Sequence, residues 1–322
     1  MTEDHPCASL TLPIHWSILS NSARHTHTPS LTSTALAISC SPYPYPTLSL
    51  PPSAFFPPPS PPPHPSTPIL YSPHSSHHPQ AVAFVGSNQA GEHIYKRASA
   101  NGKRVQSNMG AKNHTSILPD AHKAHAVNSV VGAAFGAAGQ RCMALSVAIM
   151  VGDANEWIAD IVAEAQALQV GSGFDASTDV GPMITPAALQ RAEALIESAV
   201  AQGATVALDG RGVEVEGFES GNFLGPTVVT GVTVDMDIYK EEVFGPVLCV
   251  MEADTLEASM DIINANEYGN GASIFTSNGH YARKFQHTVE PGQLGINVAI
   301  PVALPFFSFS GGKKSFWGDL NM

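Results

Sequence analysis

Eighteen of the 26 prolines in this 322-residue chain lie before residue 81, and that imbalance separates a part that can build a core from one that cannot. Runs such as Pro57, Pro58, Pro59, Ser60, Pro61, Pro62, Pro63 lack backbone donors and favour extended polyproline II. Glu3, Asp4 and Arg24 are the only charged side chains there. Residues 1–80 are therefore expected to form a disordered Pro-, Ser- and His-rich tail. The remaining 242 residues have a globular composition and suffice for one large domain or two small ones.

Charge and cysteine usage narrow the class. The formal net charge is −12, of which the tail carries only −1, so nucleic acid and anionic membranes are not expected as partners. No apolar run approaches transmembrane length, because Gln140 and Arg141 interrupt the longest one. Four cysteines, with Cys7 and Cys40 in the tail, are no disulfide framework and fit a reducing compartment. Cys249, within Val247, Leu248, Cys249, Val250, reads as core filler. Of the eight tail histidines only His77 and His78 are adjacent, without a carboxylate or thiol at ligand spacing, so no metal is expected. The tail is Ser-rich and acid-poor like a transit peptide, yet nearly free of arginine.

From Ala81 onward strand and helix signals alternate, which predicts an α/β fold with a largely parallel sheet. Ala81 to Val85 reads as a strand, Gly86 and Ser87 as a turn, and Ala90 to Ala98 as a helix capped by Ser87. An exposed helix N-terminus after a glycine suits a phosphate, although Gly86 and Gly91 do not fit the Gly-x-Gly-x-x-Gly fingerprint. Lys103 to Ser107 and Leu145 to Val151 read as strands; Ala121 to Gly136, Glu156 to Leu168 and Pro186 to Val200 read as helices. Between two of these, Gly136, Ala137, Ala138, Gly139, Gln140, Arg141, Cys142 sets a thiol beside a cation that should lower its pKa. A lone cysteine is more often a small buried hydrophobe, so its surroundings must decide.

Six blocks stand in an order that resembles the aldehyde dehydrogenases. They are Phe84, Val85, Gly86, Ser87 with Gly91; Gly139 to Cys142; Asp179, Val180, Gly181, Pro182; Phe223 to Thr227; Glu242, Val243, Phe244, Gly245, Pro246; and Tyr268, Gly269, Asn270, Gly271. The run Ser107, Asn108, Met109, Gly110, Ala111, Lys112, Asn113, His114 is similar to the CoA-acylating methylmalonate-semialdehyde dehydrogenase branch.

The resemblance implies residues 81–114 as the remnant of a Rossmann-type NAD-binding domain. It implies 115–322 as the aldehyde dehydrogenase catalytic domain, C-terminally truncated and short of an oligomerisation strand. Its cofactors would be NAD and, as co-substrate, coenzyme A. Cys142 would attack the aldehyde carbon of malonate or methylmalonate semialdehyde, and a cysteine thioester would pass to CoA as acetyl-CoA or propionyl-CoA, an activity expected to be impaired in this truncated chain. Hydrolytic relatives carry a glutamate where this chain has Asn108, whose amide cannot take a proton from water, so a thiol acceptor fits. Arg141 would pair with the substrate carboxylate. Gly86 and Ser87 would lie at the pyrophosphate, Glu242 at the nicotinamide ribose, and Phe244 beside the ring. The resemblance also implies a homo-oligomer and mitochondrial residence, the cytoplasm being the other option. Two other readings remain open: a hydrolytic aldehyde dehydrogenase, and a non-catalytic subunit or interaction fragment.

Overall fold

The computed structural model describes residues 80–320. The tail's expected disorder, its histidines and proline runs, Cys7 and Cys40 lie outside the described residues. β1 (Ala81–Val85), α1 (Asn88–Ala100) and β2 (Arg104–Asn108) come first, β1 and β2 being parallel. Ser87 caps α1 by accepting the Ala90 N–H at 3.4 Å. The chain then passes through Met109–Lys112 into β3 (Asn113–Ile117), α2 (Lys123–Phe135), a 3-10 turn (Gly136–Gly139) and β4 (Leu145–Val151). β3 straddles residues 114 and 115 and belongs wholly to the larger sheet.

After β4 come a 3-10 turn (Gly152–Trp157), α3 (Ile158–Gln166), α4 (Pro186–Ala201), β5 (Thr205–Leu208), β6 (Thr227–Thr230) and α5 (Asp237–Lys240). The chain continues with β7 (Val247–Ala253), α6 (Leu256–Ala265), β8 (Tyr268–Gly269), β9 (Gly271–Phe275), α7 (Gly279–Thr288) and β10 (Gln293–Ile296). The short strands β11 (Gly312–Lys313) and β12 (Phe316–Gly318) come last. Among the described residues the large sheet has the order β10-β9-β3-β4-β7-β6-β5, parallel except for β5 at one edge. A smaller sheet has the order β1-β2-β12, and β11 pairs with β8.

Strands β4 and β7 are nearly continuous apolar runs because helices cover both faces. In β4, Val147, Ile149 and Val151 join the core beneath α4, α6 and α7, while Leu145, Ala148 and Met150 join the core beneath α2 and α3. Fully burying each large aliphatic there contributes about 1.5–3 kcal/mol. Cys249 is fully buried in β7 and fills the first core. The helix formed by Pro186 and its successors starts where expected: Thr185 accepts the Ala188 N–H at 3.1 Å. Among the described residues no helix is long and apolar enough to cross a membrane.

One polar cluster sits inside this core. His114 Nε2 is 3.1 Å from the Tyr239 hydroxyl, and the two rings meet edge to face. Burial, helped by the charge of Lys112, lowers the His114 pKa to about 3. Between that value and the ordinary 6.5 the unfolded chain binds a proton that the folded chain refuses, so stability is full above pH 6.5 and falls as pH drops towards 3. The expected loss between pH 7 and pH 5 is about 2 kcal/mol. Urea midpoints at the two pH values, in wild type and His114→Gln, measure it; an equal acid loss in both proteins would refute the assignment to His114.

Candidate active site

The amino ends of four neighbouring strands in the large sheet meet the small sheet. Asn113 opens β3, Cys142 stands just before β4, Gly245 just before β7 and Asn270 just before β9. β2 runs directly into β3 across this junction, so Met109–Lys112 forms its floor. A cavity of about 750 Å³ opens there. Cys142, Arg141, Gly86, Ser87, Glu242 and Phe244 all line it, with Met109, Ile300, Val302 and Phe309 among the apolar walls. Asn108 does not line it; it ends β2 with its carbonyl accepting the Gly86 N–H at 3.1 Å, and its neighbour Met109 faces the cavity instead.

The loop that presents Cys142 is held under backbone strain. Ala137 and Ala138 both have φ +52° and Gly139 has φ +64°, three successive residues in the left-handed region. Each alanine there costs about 1–2 kcal/mol, which the surroundings must offset. Gly139 packs against the backbone of Gly245, tying this loop to the one that carries Glu242 and Phe244. Gln140 fastens the other side: its Nε2 donates to Pro182 O at 3.1 Å and its Oε1 accepts the Ile184 N–H at 2.9 Å. The block Asp179 to Pro182 thus acts as a brace for the thiol loop.

The thiol's electrostatics differ from the expectation. Cys142 is exposed to the cavity, yet burial by the surrounding walls raises its pKa. The N–H groups of Met143 and Cys142 oppose the rise, Glu242 adds to it, and Arg141 lowers it only as the smallest contribution. The reason is geometric: Arg141 folds back so that its Nη2 donates to Gly132 O at 3.2 Å. That carbonyl belongs to the last turn of α2, where a cation also meets the favourable end of the helix dipole. Among the described residues Arg141 has no ion-pair partner, so its charge stays available to a carboxylate in the cavity.

Glu242 is not the solvated surface acid that its neighbour Glu241 suggests. Its Oε1 accepts the Ala111 N–H at 3.0 Å. Burial raises its pKa, against the pull of that N–H, Lys112 and Arg191. Lys112 is buried, and burial lowers its pKa; its Nζ donates to Ile238 O at 2.5 Å and Glu241 O at 2.7 Å. From outside, Arg191 Nη1 donates to Glu242 O at 2.6 Å while Nη2 meets Glu241 Oε2 at 2.9 Å. Phe244 follows with φ +53° and is 42 % exposed, a ring turned to the cavity and not into the core.

A 13-residue helix whose first turn lacks acid begins at the Gly86–Ser87 end of the cavity, an environment suited to an anion. The thiol shares this cavity with the Arg141 guanidinium, the exposed Phe244 ring and the Glu242 carboxyl group. The aldehyde dehydrogenase family profile matches residues 74–322. The chain belongs to the aldehyde dehydrogenase family.

Among curated aldehyde dehydrogenases, it is 54 % identical over 242 residues to the bovine mitochondrial methylmalonate-semialdehyde/malonate-semialdehyde dehydrogenase [acylating]; this covers 75 % of the chain and 45 % of the relative. The Arabidopsis thaliana methylmalonate-semialdehyde dehydrogenase [acylating] is 58 % identical, with 75 % of the chain and 40 % of the relative covered. The chain thus spans about half the length of the curated relatives it matches. The structure of methylmalonate-semialdehyde dehydrogenase from Oceanimonas doudoroffii is similar with a TM-score of 0.75 at 46 % identity, covering 76 % of this chain and 51 % of that one. Betaine aldehyde dehydrogenase from Staphylococcus aureus, solved in complex with NAD+, gives 0.71 at 28 % identity, covering 74 % and 47 %.

Sequence reasoning missed the roles of Asn88, Lys112, Asn113 and Asn270. Asn88 Oδ1 accepts the Gly110 N–H at 2.9 Å and its Nδ2 donates to Lys314 O at 2.9 Å, locking the floor loop to α1 and the β11–β12 turn. Lys112, Asn113 and Asn270 stood inside the quoted blocks, so a local signal existed. What those side chains touch, up to 158 residues away, was not legible.

Proposed function

We propose that this chain carries the nucleophile and reacting-end cofactor contacts of a CoA-acylating malonate/methylmalonate-semialdehyde dehydrogenase. The observation that carries the reading is the meeting of Cys142, Arg141, Gly86, Ser87, Glu242 and Phe244 around one cavity, although they come from distant parts of the sequence. In this reading β1, α1 and β2 belong to a Rossmann-type cofactor-binding side, and the large sheet forms the catalytic side. The names of the relatives support a mitochondrial setting, and family resemblance supports a homo-oligomer.

The proposed chemistry follows from the residue types. The Cys142 sulfur, once deprotonated, attacks the aldehyde carbon; the C–S bond forms as the carbonyl electron pair moves to oxygen. Arg141 holds the substrate carboxylate as a planar donor pair. Gly86, Ser87 and the α1 N-terminus would hold the pyrophosphate of NAD, Glu242 the ribose hydroxyls, and Phe244 the nicotinamide side; NAD supplies the hydride acceptor when bound. Once the thiohemiacetal carbon has given up hydride and become a thioester, the carboxylate leaves as carbon dioxide, the α-carbon takes up a proton, and transfer of the acyl group from Cys142 to the CoA thiol, which returns the free Cys142 thiol, gives acetyl-CoA or propionyl-CoA. Asn108 suits that acceptor, because an amide cannot serve as general base for water while a thiol ionises near neutrality.

The test is NADH formation from malonate or methylmalonate semialdehyde and NAD, with and without CoA, together with detection of the acyl-CoA product. CoA-dependent turnover is expected. Equal NADH formation without CoA would replace this reading with the hydrolytic one, and no turnover under either condition would overturn it for this chain.

A further inference from the structure

Two buried carboxamides close on the backbone of the thiol loop. Asn113 Nδ2 donates to Cys142 O at 2.9 Å and to Ala144 O at 2.8 Å, while its Oδ1 accepts the Gly271 N–H at 3.1 Å. Asn270 Nδ2 donates to the same Cys142 O at 2.9 Å and contacts the Met143 sulfur at 3.0 Å. Both asparagines are buried. One carbonyl oxygen therefore has both acceptor directions filled by side chains from the amino ends of β3 and β9.

The consequence follows from peptide geometry. The Cys142–Met143 peptide is planar and trans, so its C=O and the Met143 N–H point to opposite sides. With the oxygen held inward, the N–H lies on the opposite side of the peptide, and the N–H groups of Met143 and Cys142 both act to lower the thiol's pKa. A donor at that point favours the thiolate. The strained turn before it, with Ala137 and Ala138 in the left-handed region, would not hold this plane unaided.

We propose that Asn113 and Asn270 are positioning residues for Cys142: by gripping its carbonyl oxygen they fix the Cys142–Met143 peptide with the Met143 N–H aimed at the sulfur. The inference rests on reading Cys142 as the nucleophile. Its test needs no turnover. The rate of iodoacetamide alkylation is measured from pH 6 to 10 in wild type, Asn270→Leu and Asn270→Ala, with the alkylated residue assigned by peptide mass spectrometry.

Asn270→Leu keeps the volume and removes the donor; alkylation of Cys142 at pH 7 is expected to slow by roughly 5- to 10-fold, with the midpoint moved upward and the high-pH limiting rate within about twofold of wild type. Asn270→Ala supplies the same comparison if the leucine variant does not fold. A purely structural role would lower the melting temperature and leave the pH profile in place. Superimposable profiles for wild type and the folded variants would overturn the proposal while leaving the nucleophile assignment standing. Conversely, full NADH formation by Cys142→Ala would overturn the nucleophile assignment without altering the alkylation result.

Discussion

Replacing Cys142 by alanine is expected to lower CoA-dependent NADH formation by at least about 10⁴-fold, because removing a covalent nucleophile leaves only binding and positioning. The fold should not notice. Cys142 is exposed to the cavity and its side chain fills no core, so the unfolding free energy is expected to stay within about 0.5 kcal/mol of wild type. Steady-state kinetics and urea unfolding on the same preparation separate the two effects. An alanine variant that still forms NADH at more than a few per cent of the wild-type rate would remove Cys142 from the mechanism. The raised thiol pKa adds a pH signature: thiol-dependent steps should strengthen as pH rises, since burial keeps the resting sulfur protonated near neutrality.

Gly139→Ala is the complementary case, a substitution that should damage the scaffold first. Gly139 has φ +64°, and a Cβ there would overlap the Gly245 carbonyl oxygen and lie 2.5 Å from its carbonyl carbon. Backbone cannot swing aside as a flexible side chain does. The expected destabilisation is about 3 kcal/mol or more, from overpacking together with the left-handed alanine. At this chain length that lowers Tm by roughly 6–12 °C. The contact joins the Cys142 loop to the Glu242–Phe244 loop, so alkylation of Cys142 should also become faster as the loop loosens. A Tm within about 2 °C of wild type would show that the two loops separate without cost and that their contact does not hold the site together.

The elements legible in the sequence were those with a local cause. β4 could be read at Leu145 to Val151 because a strand covered on both faces must be apolar almost throughout. α1 and α4 could be read from Ser87 and Pro186, whose capping and backbone effects act within one turn. The candidate site was legible to the extent that its residues sat in blocks of fixed order.

Electrostatic roles were not legible. Arg141 next to Cys142 in sequence suggested a cation acting on the thiol, whereas its guanidinium reaches back to Gly132 at the end of α2. Glu242 stands beside Glu241 in sequence, yet Lys112 and Ala111, some 130 residues earlier, make its pocket. Adjacency along the chain fixes where a side chain starts, and a long side chain leaves the direction to its surroundings. Asn108 shows the same limit at a shorter range: its position in the block was clear, but the end of β2 presents Met109 to the cavity.

By itself the sequence determined the alternating α/β order, the identity of the candidate nucleophile and the family to which the blocks point. Those follow from residue chemistry, periodicity and turn formation, all of which operate over a few residues. Only the tertiary structure decided that the thiol loop is a strained turn gripped by Asn113 and Asn270, that burial outweighs Arg141 in setting the thiol's pKa, and that Lys112 and Arg191 clamp the Glu242 loop. The physical reason is that these effects depend on desolvation and on hydrogen bonds between the amino ends of strands far apart in the chain, quantities that exist only once the sheet has assembled.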